Sequence, residues 1–334
     1  MKRHRIGSEG GQILALMAIS ATALIGMGAL VLDVGVGFQA HRHTQAAADA
    51  SALAAAQMLP TSTSAAKTAS SALATKNFST ATVNLEILAT YVANDTAAVT
   101  ASTTTPVFLG KVLHVNPFSE KATGRAVAGS YTGWSNGLAP WVTDKASIAW
   151  GQIVSFKVKP GNQATSGNFG ASRLPVQEQA CALSSGGNPY RDLIGNSLHS
   201  CMVSLGNTLK PETGNLTGPT GQGLNNRGVI QNFDAYSILK QQASGAYILT
   251  TYNHPNLVVI PVIDSFHNGN SQSYNVIGFA WFIITHYTNN TVEGMFIGSE
   301  VPGGAKCVDG SGNTTSCPFG GYDPYAIKVI QLIK

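Results

Sequence analysis

The four cysteines of this 334-residue chain are the residues whose chemistry is easiest to specify. They are Cys181, Cys201, Cys307 and Cys317, an even number that is typical of disulfide bonds in an oxidising compartment. Three pairings are possible, and closeness in sequence favours 181 with 201 and 307 with 317. Zinc binding is a competing interpretation, but no C-x-x-C pair occurs and the histidines are poorly spaced. Free thiols are the alternative if the protein folds where oxidative folding is lacking.

Acid, base and nucleophile residues form no recognisable catalytic motif. The sequence has no G-x-S-x-G, no H-E-x-x-H and no P-loop. Asp264 with His267, or His254 with Asp309, could be combined into an acid–base pair. Isolated residues of this kind near loops are usually solvated, so we reject both pairs. The Gly-rich run 217–223 lacks the lysine of a phosphate loop. The sequence therefore predicts no enzyme activity, no cofactor and no metal site.

The overall composition limits the classes of partner. Charged residues make up 11% of the chain, far below the usual quarter, and the net charge is +4. Lysines and arginines are scattered without a basic stripe, which argues against nucleic acid as a partner. Hydrophobic residues reach 44%, enough for a core. The length allows a membrane helix with one or two folded domains.

An uninterrupted apolar run covers residues 13–32. As a helix it would be about 30 Å long, the thickness of the hydrocarbon layer of a bilayer. Lys2, Arg3 and Arg5 precede the run, whereas Arg42 alone follows closely. The positive-inside rule then predicts a cytoplasmic N-terminus and an extracytoplasmic remainder. A cleaved signal peptide is the alternative, but its apolar region usually has about 7–15 residues, so we favour a retained anchor.

One face of the predicted helix consists almost entirely of small residues. Steps of three and four residues place them on one side, where small residues let two membrane helices approach closely. The face comprises Ala15, Ala18, Thr22, Gly26, Ala29 and Asp33 as far as the end of the membrane segment, and Gly37, Ala40, Thr44, Ala47, Ser51 and Ala55 beyond it. All of them except Asp33 are small. The alternative is that alanine is so common here that some face must look small. For Asp33 we expect the outer headgroup layer, and for Asp49 on another face we expect solvent.

Three segments of this region resemble a known family. They are Gly-Gln-Ile-Leu-Ala-Leu-Met at 11–17, Leu-Val-Leu-Asp-Val-Gly at 30–35, and Gln-Ala-Ala-Ala-Asp-Ala-Ser-Ala-Leu-Ala-Ala-Ala at 45–56. This sequence resembles the N-terminal region of TadE/TadG-like proteins of the bacterial Flp, or tight-adherence, pilus assembly system. The resemblance is close over residues 1–60 and looser at 167–170 and 214–219. It implies a bacterial envelope protein whose partners are other pilus-assembly membrane proteins.

Elements after the membrane segment follow from periodicity and from Gly and Pro. The first helix should continue to Met58 and end before Pro60, and residues 65–78 should form a second helix antiparallel to it. Strands are predicted at 83–92, 97–104 and 122–131, with a short helix at 106–113. The predicted organisation is a cytoplasmic tail (1–11), a transmembrane helix (12–34), a helical stalk or hairpin (35–78), a small α+β module (79–131) and a β-rich extracytoplasmic domain (132–334).

The C-terminal half is strand-rich and interrupted by polar, Gly-rich stretches. Residues 161–170 and 214–228 are expected to be loops, and residues 233–242 one short helix. Strands are expected at 257–263, 276–287 and 292–297, and at the end of the chain, 325–333.

These observations predict an α+β protein with an N-terminal transmembrane helix, an Ala-rich helical stalk and a strand-rich extracytoplasmic region. The function that fits best is a structural, non-enzymatic, single-pass envelope protein of Flp-type pilus assembly or surface adhesion. One alternative is a membrane-anchored surface-binding module unrelated to pili, which would have an exposed aromatic or apolar patch. A less favoured alternative is an envelope enzyme, which would have a pocket that gathers titratable groups.

Overall fold

The chain divides into two units, and each unit combines helices with strands. The computed structural model describes residues 9–108, 110–114, 116–159, 168–241, 247–266, 273–288, 291–298, 300–302 and 304–333. Unit 1 comprises Met1–Leu88, Thr96–Ala126 and Leu332–Lys334, and unit 2 comprises Ala89–Asp95 and Val127–Gln331. The described residues include four α-helices and many strands, so the predicted α+β class is confirmed. Unit 1 includes the predicted stalk and most of the predicted small module.

The helices of unit 1 form a hairpin. α1 (Glu9–Met58) ends where Pro60 excludes further helix, and α2 (Thr63–Asn77) packs against it. The Ser62 hydroxyl accepts a hydrogen bond from the Ala65 backbone N–H at 3.2 Å, which caps the first turn of α2. Only small side chains of α2 are fully buried: Ala66, Ser70 and Ala74. Small residues on both helices therefore allow the hairpin to pack closely.

Strands complete unit 1. β1 (Thr82–Leu88) pairs antiparallel with β2 (Thr96–Thr105), whose alternating buried residues pack on α1. β3 (Phe118–Tyr131) begins in this unit and continues into unit 2. The predicted helix at 106–113 is reduced to a 3₁₀ turn at Gly110–Leu113.

The first strand is shorter than predicted because a carboxylate binds the backbone N–H groups of the residues that follow it. In unit 2, Asp95 accepts hydrogen bonds from the backbone N–H groups of Thr90, Tyr91 and Val92 at 2.7–2.8 Å. An Asp that gathers successive amides stabilises a turn, and these residues cannot then continue a strand ladder. The predicted strand at 83–92 therefore ends at Leu88.

Unit 2 is built mainly from strands. They are β4 (Gly133–Trp134), β5 (Trp141–Asp144), β6 (Ile153–Lys159), β7 (Asn168–Arg173), β8 (Pro175–Val176), β9 (Ala182–Leu183), β10 (Val203–Ser204), β11 (Thr208–Pro211), β12 (Leu239–Gln241), β13 (Tyr247–Leu249), β14 (Leu257–Ile263), β15 (Tyr274–Tyr287), β16 (Thr291–Ile297), β17 (Glu300–Pro302), β18 (Lys306–Val308), β19 (Thr314–Ser316), β20 (Phe319–Gly320) and β21 (Lys328–Leu332). The last residue of β21, Leu332, belongs to unit 1.

Six of these strands close into a ring. The pairing order is β15–β14–β5–β7–β6–β16, and β16 pairs with β15 again. One buried face of the ring carries Phe156, Phe282 and Phe296, whose ring centroids are 4.8–6.0 Å apart. The opposite face of β14 and β15 belongs to a second apolar cluster. β14 and β15 are thus buried on both faces, which explains their nearly continuous apolar sequences.

Two helices pack against the ring. α3 (Gly187–Ile194) and α4 (Thr217–Arg227) contact each other, and both contribute to the apolar cluster on the Phe282 face. The Trp141 indole N–H donates to the Tyr190 hydroxyl at 2.7 Å, and that hydroxyl lies 3.1 Å from the Thr220 hydroxyl. Burial raises the pKa of Tyr190 to about 12. This buried polar trio links β5, α3 and α4.

The expectation of a loop at 214–228 is wrong, because α4 occupies most of it. Gly221 and Gly223 are buried, and a Cβ built on Gly223 would lie 2.7 Å from the carbonyl oxygen of Arg191 on α3. Glycine is a poor helix former, but here its missing side chain allows two helices to touch. Tertiary packing therefore overrides the local propensity. Residues 161–167 of the other expected loop lie outside the described residues, and residues 168–170 begin β7.

The helix expected at 233–242 is also wrong. A 3₁₀ turn at Ala235–Ile238 takes its place, and the Asp234 carboxylate accepts from the Tyr236 N–H at 3.0 Å at its start. β12 follows at once and pairs antiparallel with β13. Because residues 239–241 pair with β13, their backbone N–H and C=O groups are not available for the hydrogen bonds of a longer helix. The strands expected at 257–263, 276–287 and 292–297 correspond to β14, β15 and β16, whereas the terminal strand is shorter than expected.

Candidate functional site: the membrane helix and its seat in unit 1

The first half of α1 is uncovered by protein. Its large apolar side chains are each 58–75% exposed: Ile13, Leu14, Leu16, Met17, Ile19, Leu24, Ile25, Met27, Leu30, Val31 and Leu32. A row of this size on a protein surface requires an apolar environment. In the part of the chain that the structure describes, α1 is the one helix long and apolar enough to cross a membrane.

The predicted small-residue face is divided at Asp33. Before it, Ala15, Ala18, Thr22 and Gly26 are exposed and Ala29 is half-buried, and no atom lies within 4 Å of a Cβ built on Gly26. After it, the same face is buried inside unit 1 at Gly37, Ala40, Thr44, Ala47, Ser51 and Ala55. The second half of the face therefore has its partner within the chain, in α2 and β2. Only the first half is available to another helix.

Asp33 is covered by protein where the apolar run ends. It is 5% exposed, and its expected position in the outer headgroup layer stays a prediction. Its carboxylate accepts a hydrogen bond from the Phe108 backbone N–H at 2.8 Å and one from the Gly110 N–H at 2.6 Å. Charged acceptors make strong hydrogen bonds with backbone amides. Asp33 thus fastens α1 to the segment after β2, at the point where the apolar run ends.

Close contacts continue along the helix inside unit 1. A Cβ built on Gly124 of β3 would lie 2.6 Å from the backbone of Ala48, so only glycine allows this approach. Gln45 donates from Nε2 to the Thr123 carbonyl oxygen at 3.2 Å, and His41 Nδ1 lies 3.1 Å from Glu120 Oε2. These contacts hold the helix firmly against β3. Asp49, expected in solvent, is half-buried and accepts a hydrogen bond from Gln45 at 2.9 Å.

The cysteines are paired in unit 2. Cys181 is bonded to Cys201 with their Cα atoms 5.7 Å apart, and Cys307 to Cys317 with a separation of 4.9 Å. These are the pairings that closeness in sequence favours. The second bond joins Cys307 of β18 to Cys317, the residue that follows β19 in the same hairpin. It is also buried, since Cys307 and Cys317 are 1% and 4% exposed.

The acid–base pairs rejected from the sequence are not assembled by the described residues. His254 stacks on Phe233 with ring centroids 4.6 Å apart, and its Nδ1 accepts from the Asn256 N–H. Asp309 accepts from the backbone of Ser311 and Asn313 in its own turn. His267 lies outside the described residues. Among the residues that the structure describes, no group of three or more His, Cys, Asp or Glu is placed to hold a metal ion.

A long helix with an uncovered apolar first half and a buried second half indicates a single-pass membrane protein. Residues 11–58 match the model of a family described as putative Flp pilus-assembly TadE/G-like, and the match ends at the last residue of α1. The resemblance seen in the sequence is therefore confirmed, and the match supports a role related to Flp pilus assembly. No curated protein and no solved structure matches the chain.

Proposed function

We propose that this chain is a non-enzymatic structural component of Flp-type pilus assembly, held in the bacterial cell membrane by α1. Its N-terminus is cytoplasmic, and the chain beyond the apolar segment of α1 is extracytoplasmic. The membrane part of α1 binds another pilus-assembly membrane protein through the small residues Ala15, Ala18, Thr22, Gly26 and Ala29. The chain uses no cofactor and does not bind nucleic acid.

The observation that carries this proposal is the division of one helix face into two halves. Beyond Asp33 the small residues pack inside unit 1, as close helix packing requires. Before Asp33 the same kind of face is exposed along the apolar segment. In lipid, helix association depends on close backbone approach rather than on the hydrophobic effect, and small residues permit it. The family match to residues 11–58 supports a pilus system as the setting.

The first test adds bulk to the exposed face. Gly26→Leu and Ala29→Leu keep the segment apolar, and a Cβ at Gly26 meets no atom within 4 Å, so membrane insertion and folding should persist. We expect the association constant to fall about tenfold, a loss of about 1.4 kcal/mol, and photocrosslinking to other pilus-assembly membrane proteins from position 19, where a large exposed residue already borders the face, to fall with it. Surface attachment of the cells should fall with it.

Leu24→Phe is the matched control, because Leu24 is 67% exposed on another side of the same segment. Its crosslinking should equal that of the wild type. Equal crosslinking in all three variants would reduce α1 to an anchor and would favour a surface-binding module unrelated to pili.

The second test concerns orientation. The positive residues Lys2, Arg3 and Arg5 precede the apolar run, so the N-terminus should stay in the cytoplasm. Protease added to intact spheroplasts should then remove epitope tags placed after residue 40 and spare a tag at the N-terminus. Protection of the C-terminal tag contradicts this orientation. A mature protein that begins after Leu32 would instead identify a cleaved signal peptide.

A further inference from the structure

Unit 2 contains a cavity that the proposed membrane role does not use. Its volume is about 540 Å³, within the range of small-molecule sites. The wall is formed by Trp134 and the turn after it, the end of α3 with residues 196–200, the loop before β14, and Trp281 of β15. These parts are far apart in sequence, so the cavity exists only in the folded chain.

Aromatic rings form one side of this cavity. Trp134 and Trp281 are 4% and 5% exposed, and they meet edge to face with centroids 5.7 Å apart. Tyr252 leans on Trp281 with centroids 5.8 Å apart, yet it is 47% exposed. The rim therefore presents an accessible aromatic ring supported by buried indoles. The electron-rich face of such a ring attracts groups with positively polarised hydrogens, including the C–H faces of a sugar ring.

Polar groups with unused hydrogen-bonding capacity lie around the same cavity. The side-chain amides of Asn196 and Asn253 are exposed and make no hydrogen bond with a described residue. Each amide offers an acceptor and two donors, which matches neighbouring hydroxyl groups. Because His254 Nδ1 accepts from the Asn256 N–H, its proton lies on Nε2, which is then a donor. The buried Trp281 indole N–H also has no hydrogen-bond partner among the described residues.

The charges in the wall are already engaged. Arg227 donates to the carbonyl oxygens of Pro255, Ile194 and Leu257 at 2.9–3.3 Å. Lys306 donates from Nζ to the Ser316 hydroxyl at 3.2 Å. No carboxylate is among the described residues that line the cavity. A bound cation would therefore have no negative partner among these residues. A bound anion would have to compete with the protein groups to which Arg227 and Lys306 already donate hydrogen bonds.

The geometry points to a binding site for a neutral saccharide, with the Tyr252 ring stacked on one sugar face and the amides of Asn196 and Asn253 bound to its hydroxyls. The volume is of the size that small ligands occupy, so the site would take the terminal part of a glycan. This site belongs to unit 2 alone and is independent of the role proposed for the membrane helix.

The test uses the full-length protein in lauryldimethylamine oxide, because glycosidic detergents would compete for the site. A glycan array should carry neutral hexose and N-acetylhexosamine oligosaccharides, with sialylated and phosphorylated oligosaccharides as the anionic set. We expect binding to neutral members. Calorimetric titration with the best-bound neutral oligosaccharide should then show dissociation constants about tenfold higher for Tyr252→Ala and Asn253→Ala.

Two further variants separate binding from folding. Tyr252→Phe keeps the ring and should bind within about twofold of the wild type, because stacking needs no hydroxyl. Tyr236→Ala removes an equally exposed tyrosine, 49% against 47%, that does not line the cavity, and it should bind as the wild type does. Absence of array binding, binding restricted to anionic glycans, or unchanged affinity in Tyr252→Ala would each overturn the proposal.

Discussion

Asp33 is the residue whose role differs most between sequence and structure. A carboxylate that follows an apolar run is usually expected to lie among the lipid headgroups, where a charge is tolerated. Here it is buried and accepts hydrogen bonds from Phe108 and Gly110, residues far away in sequence. Asp33 therefore adds a polar attachment where the apolar segment of α1 meets the rest of unit 1, beside the packing of the second half of the helix.

We predict that Asp33→Asn loosens this junction. An amide has one acceptor oxygen where the carboxylate has two, so one of the two N–H groups must lose its partner. We expect unit 1 to lose about 1–3 kcal/mol of stability, the range for a hydrogen-bonding group that is left without a partner. Hydrogen exchange measured by mass spectrometry should show faster exchange in the peptide around residues 108–110.

Asp49→Asn is the control for this change. Asp49 lies on the same helix and accepts from the Gln45 side chain, and an amide oxygen can accept that bond equally well. Its exchange pattern should match the wild type. Unchanged exchange at 108–110 in Asp33→Asn would show that the two hydrogen bonds do not hold the segment.

At the level of elements, α4 shows how packing can select a helix from an unfavourable sequence. Its Gly-rich sequence is typical of a loop, and two of its glycines are buried. Gly223 faces the backbone oxygen of Arg191 and the side chain of Ile194 on α3. For Gly218, in the same helix, an added Cβ would have no atom within 4 Å. Gly223 therefore allows α3 and α4 to approach closely, whereas Gly218 has no such role in packing.

We predict different effects of alanine at these two positions. Gly223→Ala places a carbon 2.7 Å from the Arg191 oxygen and should destabilise the protein by about 1–3 kcal/mol. Gly218→Ala meets no atom beyond its chain neighbours, but its gain in helix propensity is offset because Pro219 follows it and disfavours a Cβ there, so stability should change by less than about 1 kcal/mol. Thermal unfolding followed by circular dichroism gives both values. A stabilising Gly223→Ala would contradict the close packing of α3 and α4.

At the scale of the whole molecule, unit 2 combines a closed ring of strands with two disulfides outside it. The disulfide between Cys307 and Cys317 is buried and joins the ends of a Gly-rich hairpin. Disulfides of this kind persist in oxidising compartments, which agrees with the extracytoplasmic position proposed for this unit.

We predict that the double substitution Cys307→Ala, Cys317→Ala lowers the free energy of unfolding by about 2–3 kcal/mol, because the unfolded loop gains conformational freedom. The melting temperature of purified protein measures this loss. Ser311→Ala, an exposed residue inside the same loop, should have no effect. Alkylation of the wild-type protein offers an independent check. Four reactive thiols after purification without reductant would refute both disulfide bonds.

The sequence alone was sufficient for the features that depend on local patterns. The apolar run at 13–32 determined the candidate membrane helix, because length and uninterrupted hydrophobicity are local properties. Pro60 determined the end of α1, and the spacing of the cysteines favoured the observed pairs. Continuous apolar stretches located β14 and β15 within a few residues.

Only the tertiary structure decided the features that depend on distant partners. The buried role of Asp33 requires amides from beyond β2, and the helix at α4 requires the surface of α3. The same applies to the small-residue face: its sequence pattern is uniform, but folding buries the half beyond Asp33 and leaves the membrane half exposed. The cavity beside Tyr252 gathers residues from across unit 2. Periodicity reports which side of an element is apolar or small, whereas long-range packing determines what that side contacts.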